Sequence, residues 1–432
     1  MTDAEKSLEK GREAYGQGGR RAHFVLIVLF LLYLSDYVDR YVIASMLSFI
    51  KEDWGITDAQ AGMLMSVVLF AITVFSIPVS VLIDRWSRRK MMSIMAAFWS
   101  LATLACRYTN NFTQLMIARL FIGVGEAGYA PAGTAMLAAA YPEQKRARVM
   151  GIWNISIPLG IGLGLVAGGL IAQRLHWKDA FGIVALPGFI LATIAWFLPD
   201  YKTVKLEDSG SVRMGREFFK KSAGLLKTPS LAFTYFAFAM NVSCTTAIAY
   251  WLPTYFERVG LADKGQGGTL TLPVMALVLI GAPLGGFMAD YLGKRIKRAR
   301  LLLPAITSVM ASVFLFFAFV SIGSKVQLPL FAFYGICVTM FVAPAAAATQ
   351  DLAHPGLRAL SYALCVFIQH VAGDVWSPLL IGFFSDLFTL PVAMTFISLY
   401  GLVAGLLFYL GSKTYVRDRE RVEQVELVAE KR

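Results

Sequence analysis

Continuously apolar runs of about twenty residues recur along this chain, and that is the helix length a bilayer's hydrocarbon core requires. They fall near residues 22–49, 57–83, 90–107, 112–140, 147–173 and 178–198. After a polar interval they resume near 230–256, 268–290, 300–322, 328–350, 358–386 and 389–411. The runs are continuous and not alternating, so spanning helices are expected and a membrane barrel is not. Charged residues make up 16% of the 432 residues, where a soluble domain carries about 25%. The expected fold class is an all-α membrane protein with twelve transmembrane helices.

The net charge of +12 does not point to nucleic acid, because the positive residues are sorted by side. With the N-terminus placed in the cytoplasm, seven of the 40 Lys and Arg residues fall in the opposite segments: Lys51, Arg107, Arg174, Lys178, Arg258, Lys264 and Lys325. Arg40 and Arg119 lie inside spans, and all the others are cytoplasmic. This is the positive-inside bias, and it predicts cytoplasmic termini on both sides of the chain. The clusters 85–90, 145–148 and 294–300 then read as solvated loop faces that also meet anionic lipid headgroups. The first 21 residues are polar and charged and carry no cleavage-site pattern, so no removable signal is expected.

The chain also repeats itself. "SVLIDRWSRRK" follows the second run and "GGFMADYLGKR" follows the eighth, which places Asp84 and Asp290 206 residues apart. Two six-helix halves entering from the same side form the parallel repeat of a two-bundle transporter. The division expected is a cytoplasmic tail over 1–21, a first bundle over 22–198, a linker over 199–229, a second bundle over 230–411 and a cytoplasmic tail over 412–432. Within the linker "RMGREFFKKSAGLLK" has the composition of a basic amphipathic surface helix or of a solvated tether.

Against this apolar background a few ionisable groups stand out. Asp36, Asp39 and Arg40 share one face of the first helix by their i, i+3, i+4 spacing. Arg119 and Glu126 are seven apart in the fourth, and His370 and Asp374 are i, i+4 in the eleventh. An ionisable side chain at membrane depth costs several kcal/mol, and it persists where it has a partner or lines a polar cavity. Counting ~1.5 Å per residue puts Asp39 and Arg40 ~25 Å from the cytoplasmic end of their helix, level with Arg119, and Glu126 ~10 Å deeper than Arg119. Asp39 is therefore expected to pair with Arg119, leaving Glu126 to exchange protons. Arg40 and Arg119 are the candidate binders of an anionic group, since a guanidinium stays charged and presents a fork to carboxylate or phosphate. Asp36, His370 and Asp374 form a secondary polar set.

The runs "FIGVGEAGYAPAG" and "SIPLGIGLGLVAGG" are not nucleotide loops, because a membrane span supplies no preceding strand. Small residues there let helices approach closely, with bends at Pro131 and Pro158. Asp84 with Arg85, Arg88 and Arg89, and Asp290 in the second half, suit a gate on the inner side in which a carboxylate caps a neighbouring helix.

The paired loops "DRWSRRK" and "GFMADYLGKR" on a twelve-helix plan resemble the major facilitator superfamily over nearly the whole chain. Within it, "DYVDR" (36–40), "ARLFIGVGEAGY" (118–129), "SIPLGIGLG" (156–164) and "HVAGDVWSPLLIG" (370–382) look most like the spinster group of lysolipid and sphingolipid transporters. The resemblance implies a proton-linked switch at Asp39, Arg40, Arg119 and Glu126. Ser80 and Ser87 stand where the first loop usually has glycine, Asp36 where relatives often have Asn, and Gly128 where Ser is usual.

A proton-coupled secondary transporter of an amphipathic anion or zwitterion, lysophospholipid- or sphingolipid-like, is thus expected. The alternative is a carrier of a small organic acid or drug-like molecule; a silent lipid sensor and an intramembrane aspartyl protease fit less well. The chain is expected to be a monomer with protons, substrate and membrane lipids as partners, and with no nucleic acid, cofactor or metal. The four cysteines form no C-x-x-C pair, and no catalytic motif occurs. Phe238, Met240, Tyr250, Trp251, Met340, Phe341 and Trp376 suit either an acyl-chain lining or core packing.

Overall fold

A computed structural model describes residues 19–199, 224–354 and 357–422. Among these residues every regular element is helical. Ten helical segments are long and apolar enough to cross a membrane. The two expected spans outside that set are helical as well. One is Arg88–Cys106, which opens on Arg88, Arg89 and Lys90; the other carries Arg119 and Glu126 and breaks into Phe112–Glu126 and Tyr129–Ala140.

The chain divides into two compact units. The first comprises Met1–Lys205 with Ala249–Leu272, and the second Leu206–Ile248 with Pro273–Arg432. In chain order the helices of the first stretch are α1 (Arg20–Tyr41), α2 (Leu47–Trp54), α3 (Asp58–Arg85), α4 (Arg88–Cys106), α5 (Phe112–Glu126), α6 (Tyr129–Ala140), α7 (Glu143–Asn154), α8 (Ser156–Arg174) and α9 (Trp177–Trp196). They are followed by α10 (Pro229–Arg258), α11 (Gly267–Gly293), α12 (Ala299–Val320), α13 (Gln327–Val338), α14 (Val342–Asp351), α15 (Arg358–Gln369), α16 (Ser377–Leu387) and α17 (Leu390–Glu420).

Two breaks follow from proline. A proline removes the bond to the carbonyl four residues back and clashes with it. Four residues before Pro131 is Ala127, where α5 gives way to α6; four before Pro158 is Asn154, the last residue of α7. Most of the basic-amphipathic linker stretch, the first 18 residues and the last ten lie outside the described residues.

The helix that carries the charges, α1, is gripped by a glycine face. Gly160, Gly164 and Gly168 of α8 are one turn apart and lie against the backbone of Leu34, Tyr37, Val38 and Val42. A Cβ at Gly160 would sit 2.7 Å from the Leu34 carbonyl oxygen, and one at Gly164 2.7 Å from that of Val38. The small residues therefore serve close packing, the contact that drives helix association in lipid. Regular α geometry in α1 ends at Tyr41, and Val42–Ser45 continue as a 3-10 turn before α2.

The end of α10 from Ala249 onward belongs to the first unit, where a charge cluster fixes it. Arg258 donates two hydrogen bonds of 2.6 Å to the buried Asp58 at the start of α3, and Lys51 of α2 pairs with the same carboxylate. Glu257 accepts from Ser48 at 2.5 Å and from the Gly265 amide at 2.8 Å. Tyr250 stacks on Tyr41 with ring centroids 4.4 Å apart. In the second unit, Phe238, Phe341, Phe408, Tyr235 and Tyr415 form the packed core.

Substitution distinguishes the gripped glycines from a free one. Gly164→Ala presses a methyl group into backbone that cannot yield, at a cost of about 1–3 kcal/mol. Gly151 of α7 has nothing within 4 Å of its missing Cβ, so Gly151→Ala is expected to gain helix propensity of up to about 1 kcal/mol. Thermal unfolding in detergent should show a lowered midpoint for the first variant and an unchanged or raised one for the second.

Candidate functional site

Two of the intramembrane carboxylates of the first unit, Asp36 and Glu126, meet on Arg40. Its Nη2 lies 2.9 Å from Asp36 Oδ2 and 2.9 Å from Glu126 Oε2, and its Nε donates to the same Glu126 oxygen at 3.1 Å. The guanidinium carbon stands 4.6 Å from the centre of the Tyr37 ring. Arg40 is thus held by two carboxylates and an aromatic face, from α1 and α5 together. Its side chain keeps 11% exposure, while those of Asp36 and Glu126 are almost fully buried.

This pairing corrects the expected one. Glu126 is not a lone carboxylate, and Arg119 does not pair with Asp39. Arg119 is wholly buried, and its guanidinium donates to backbone carbonyls: Nε to Leu64 at 2.5 Å and Nη2 to Arg40 at 3.5 Å. Among the described residues its Nη1 has no hydrogen-bond partner. Counting residues along a helix gives Cα levels, whereas helical side chains lean toward the N-terminus of their helix. Arg40 therefore reaches back a full turn, to Asp36 and to the deeper Glu126. Arg119 instead bridges two helices, through the Leu64 carbonyl within α3 and the Arg40 carbonyl near the end of α1.

Asp39 takes a different partner. The hydroxyl of Thr103 on α4 lies 2.5 Å from Asp39 Oδ2. Beneath the site the Leu29 carbonyl accepts from Tyr129 Oη at 2.5 Å and from Trp153 Nε1 at 3.2 Å, and Tyr33 stacks on Trp153 at 4.4 Å. One oxygen on each of Asp36, Asp39 and Glu126 lacks a hydrogen-bond partner among the described residues. The set therefore holds three carboxylates against two guanidiniums, with acceptors in excess. Thr103 escaped the sequence reading because an isolated hydroxyl in an apolar helix most often bonds its own backbone. Tyr37 offered no signal beyond lying one turn from charged positions.

His370 and Asp374 sit in the second unit, where His370 Nδ1 is 3.0 Å from both carboxylate oxygens. They occupy a π-helical turn between α15 and α16, and Trp376 Nε1 donates back to the Val371 carbonyl at 2.8 Å. Of the loop residues, Asp290 lies 3.8 Å from Arg300, which also pairs with Asp351 within the same unit. Arg89 donates to the Leu198 carbonyl at 2.8 Å and Arg88 opens α4. The side chains of Asp84 and Arg85 lie outside the described residues.

The comparisons with known proteins agree with this architecture. Residues 29–375 match the model of the Major Facilitator Superfamily. The chain belongs to that superfamily. It is 26% identical to protein spinster homolog 1 of Xenopus tropicalis, over 98% of this chain and 87% of that protein. It is 27% identical to the sphingosine-1-phosphate transporter SPNS2 of the same organism, over 90% and 82%. The crystal structure of a bacterial homolog of the human lysosomal transporter spinster, in an inward-facing and occupied conformation, superimposes with a TM-score of 0.80. That likeness covers 92% of this chain and 98% of the other at 19% identity. This major facilitator protein is a multi-pass membrane protein of the transporter kind, most like the spinster group.

The shared arginine makes a specific energetic claim. Arg40→Ala strands two buried carboxylates and is expected to cost about 3–5 kcal/mol. Adding Glu126→Gln should recover part of that loss, since a neutral amide needs no counter-charge. Thermal midpoints of the two single variants and the double variant check the coupling; strictly additive losses would leave the pair without energetic content.

Proposed function

We propose that the protein is a proton-coupled secondary transporter that works by alternating access and carries an amphipathic lipid-like anion or zwitterion. The observation that carries this reading is the single guanidinium, Arg40, shared by Asp36 and Glu126 at 2.9 Å in an apolar interior. Three carboxylates against two guanidiniums leave one negative charge uncompensated, and burial makes such a charge costly. A proton on one carboxylate removes that cost. When Glu126 takes it, Arg40 loses one of its two anionic partners and gains room for a phosphate or carboxylate headgroup. When the headgroup leaves, Glu126 returns to the guanidinium and the proton departs. Binding of the substrate and of the proton are then linked through one side chain.

The names of the relatives favour a sphingoid or lysolipid headgroup for this site. The reading includes twelve spanning helices in two six-helix bundles over 22–198 and 230–411, with both termini cytoplasmic as the basic residues are distributed. The loops at Asp84 and Asp290 act as its gates, and His370 with Asp374 is a second polar site that orients the turn after α15.

Transport in proteoliposomes tests it. With an inward proton gradient the wild type should move sphingosine-1-phosphate, and Glu126→Gln should lose gradient-driven movement while still binding the lipid. Movement of a small organic acid and no lipid would assign the alternative substrate class. A Glu126→Gln variant with full gradient-driven transport would remove Glu126 from the coupling.

A further inference from the structure

Thr103 has no role in the scheme above, yet its hydroxyl has an unusual pair of neighbours. It lies 2.5 Å from Asp39 Oδ2 and 3.0 Å from the Trp99 carbonyl oxygen, and the residue is wholly buried. A hydroxyl has one proton to donate and lone pairs to accept with, so it cannot serve both acceptors at once. We infer that Thr103 is a positioning residue that keeps Asp39 hydrogen-bonded in both of its protonation states. With Asp39 ionised, the Thr103 O–H donates to Oδ2 and the Trp99 carbonyl keeps its intrahelical bond alone. With Asp39 protonated, the carboxyl O–H donates to Thr103 Oγ1, and Thr103 turns its own proton to Trp99. The carboxyl oxygen and the hydroxyl stay paired in either state, and the heavy atoms need not move.

The surroundings set Asp39 apart from the other two carboxylates. Asp36 and Glu126 are tied directly to the Arg40 guanidinium. Asp39 has neither guanidinium within salt-bridge distance among the described residues, and its partner is a neutral hydroxyl. Charged or titratable groups face it from three helices: Asp36 and Arg40 on α1, Arg119 and Glu126 on α5, and the Cys106 thiol one turn beyond Thr103 on α4. A carboxyl placed this way can hold a proton without giving up an ion pair.

The inference rests on the proton-coupled reading, but its test needs no substrate. Infrared difference spectra of the purified protein, recorded across a pH titration, follow the C=O stretch of protonated carboxyls. One band should vanish in Asp39→Asn, which assigns it. In Thr103→Val, which keeps the shape and loses the hydroxyl, that band should move to higher wavenumber and its pH midpoint should be displaced. Thr103→Ser should return both to the wild-type values. An unmoved band and midpoint in Thr103→Val would overturn the inference, and so would the absence of any band lost in Asp39→Asn. Failure of lipid transport, by contrast, would count against the proposed function and leave this result standing.

Discussion

Arg40 is the residue on which the first unit is organised. A guanidinium inside an apolar bundle is tolerable where anionic and aromatic groups replace its water, and here Asp36, Glu126 and the Tyr37 ring do so. Holding two carboxylates on one cation fixes α1 against α5 through charge, while the glycine face of α8 fixes α1 from another side through van der Waals contact. The break before Pro131 leaves Glu126 as the last residue of α5. That position lets it meet an arginine whose own helix changes geometry one residue later. Backbone irregularity and buried charge thus coincide, and each supplies partners to the other. Arg119 touches one such place, the Arg40 carbonyl, and otherwise donates to the Leu64 carbonyl within the regular helix α3.

The same chemistry recurs at the junction of α2, α3 and the end of α10. Asp58 gathers Lys51 and Arg258, and Glu257 gathers Ser48 and the Gly265 amide. These partners are more exposed than those of Arg40, so water and salt weaken them. The deep set, whose carboxylates are almost fully buried, keeps the stronger coupling.

Much of the architecture was legible in the sequence because lipid leaves a chain few choices. Continuous apolar runs are a direct consequence of helices in a bilayer, and the family assignment followed from the loop and helix motifs. The charges Asp36, Asp39, Arg40, Arg119 and Glu126 were equally plain as ionisable groups inside apolar runs. Their pairing was not legible. A Cα depth scale ignores the lean of a long side chain, so it matched Asp39 with Arg119 and left Glu126 alone. The Thr103 hydroxyl and the Lys51–Asp58–Arg258 set were hidden for another reason. They join residues far apart in the chain, and no periodicity encodes such a meeting.

Linkage between substrate and proton through Arg40 is the centre of this account, and calorimetry reads it directly. Binding of sphingosine-1-phosphate to the purified protein, measured in buffers of different ionisation enthalpy, gives the net proton uptake that accompanies binding. The account predicts uptake in the wild type and its loss in Glu126→Gln. Binding by the wild type with a heat independent of buffer would contradict it.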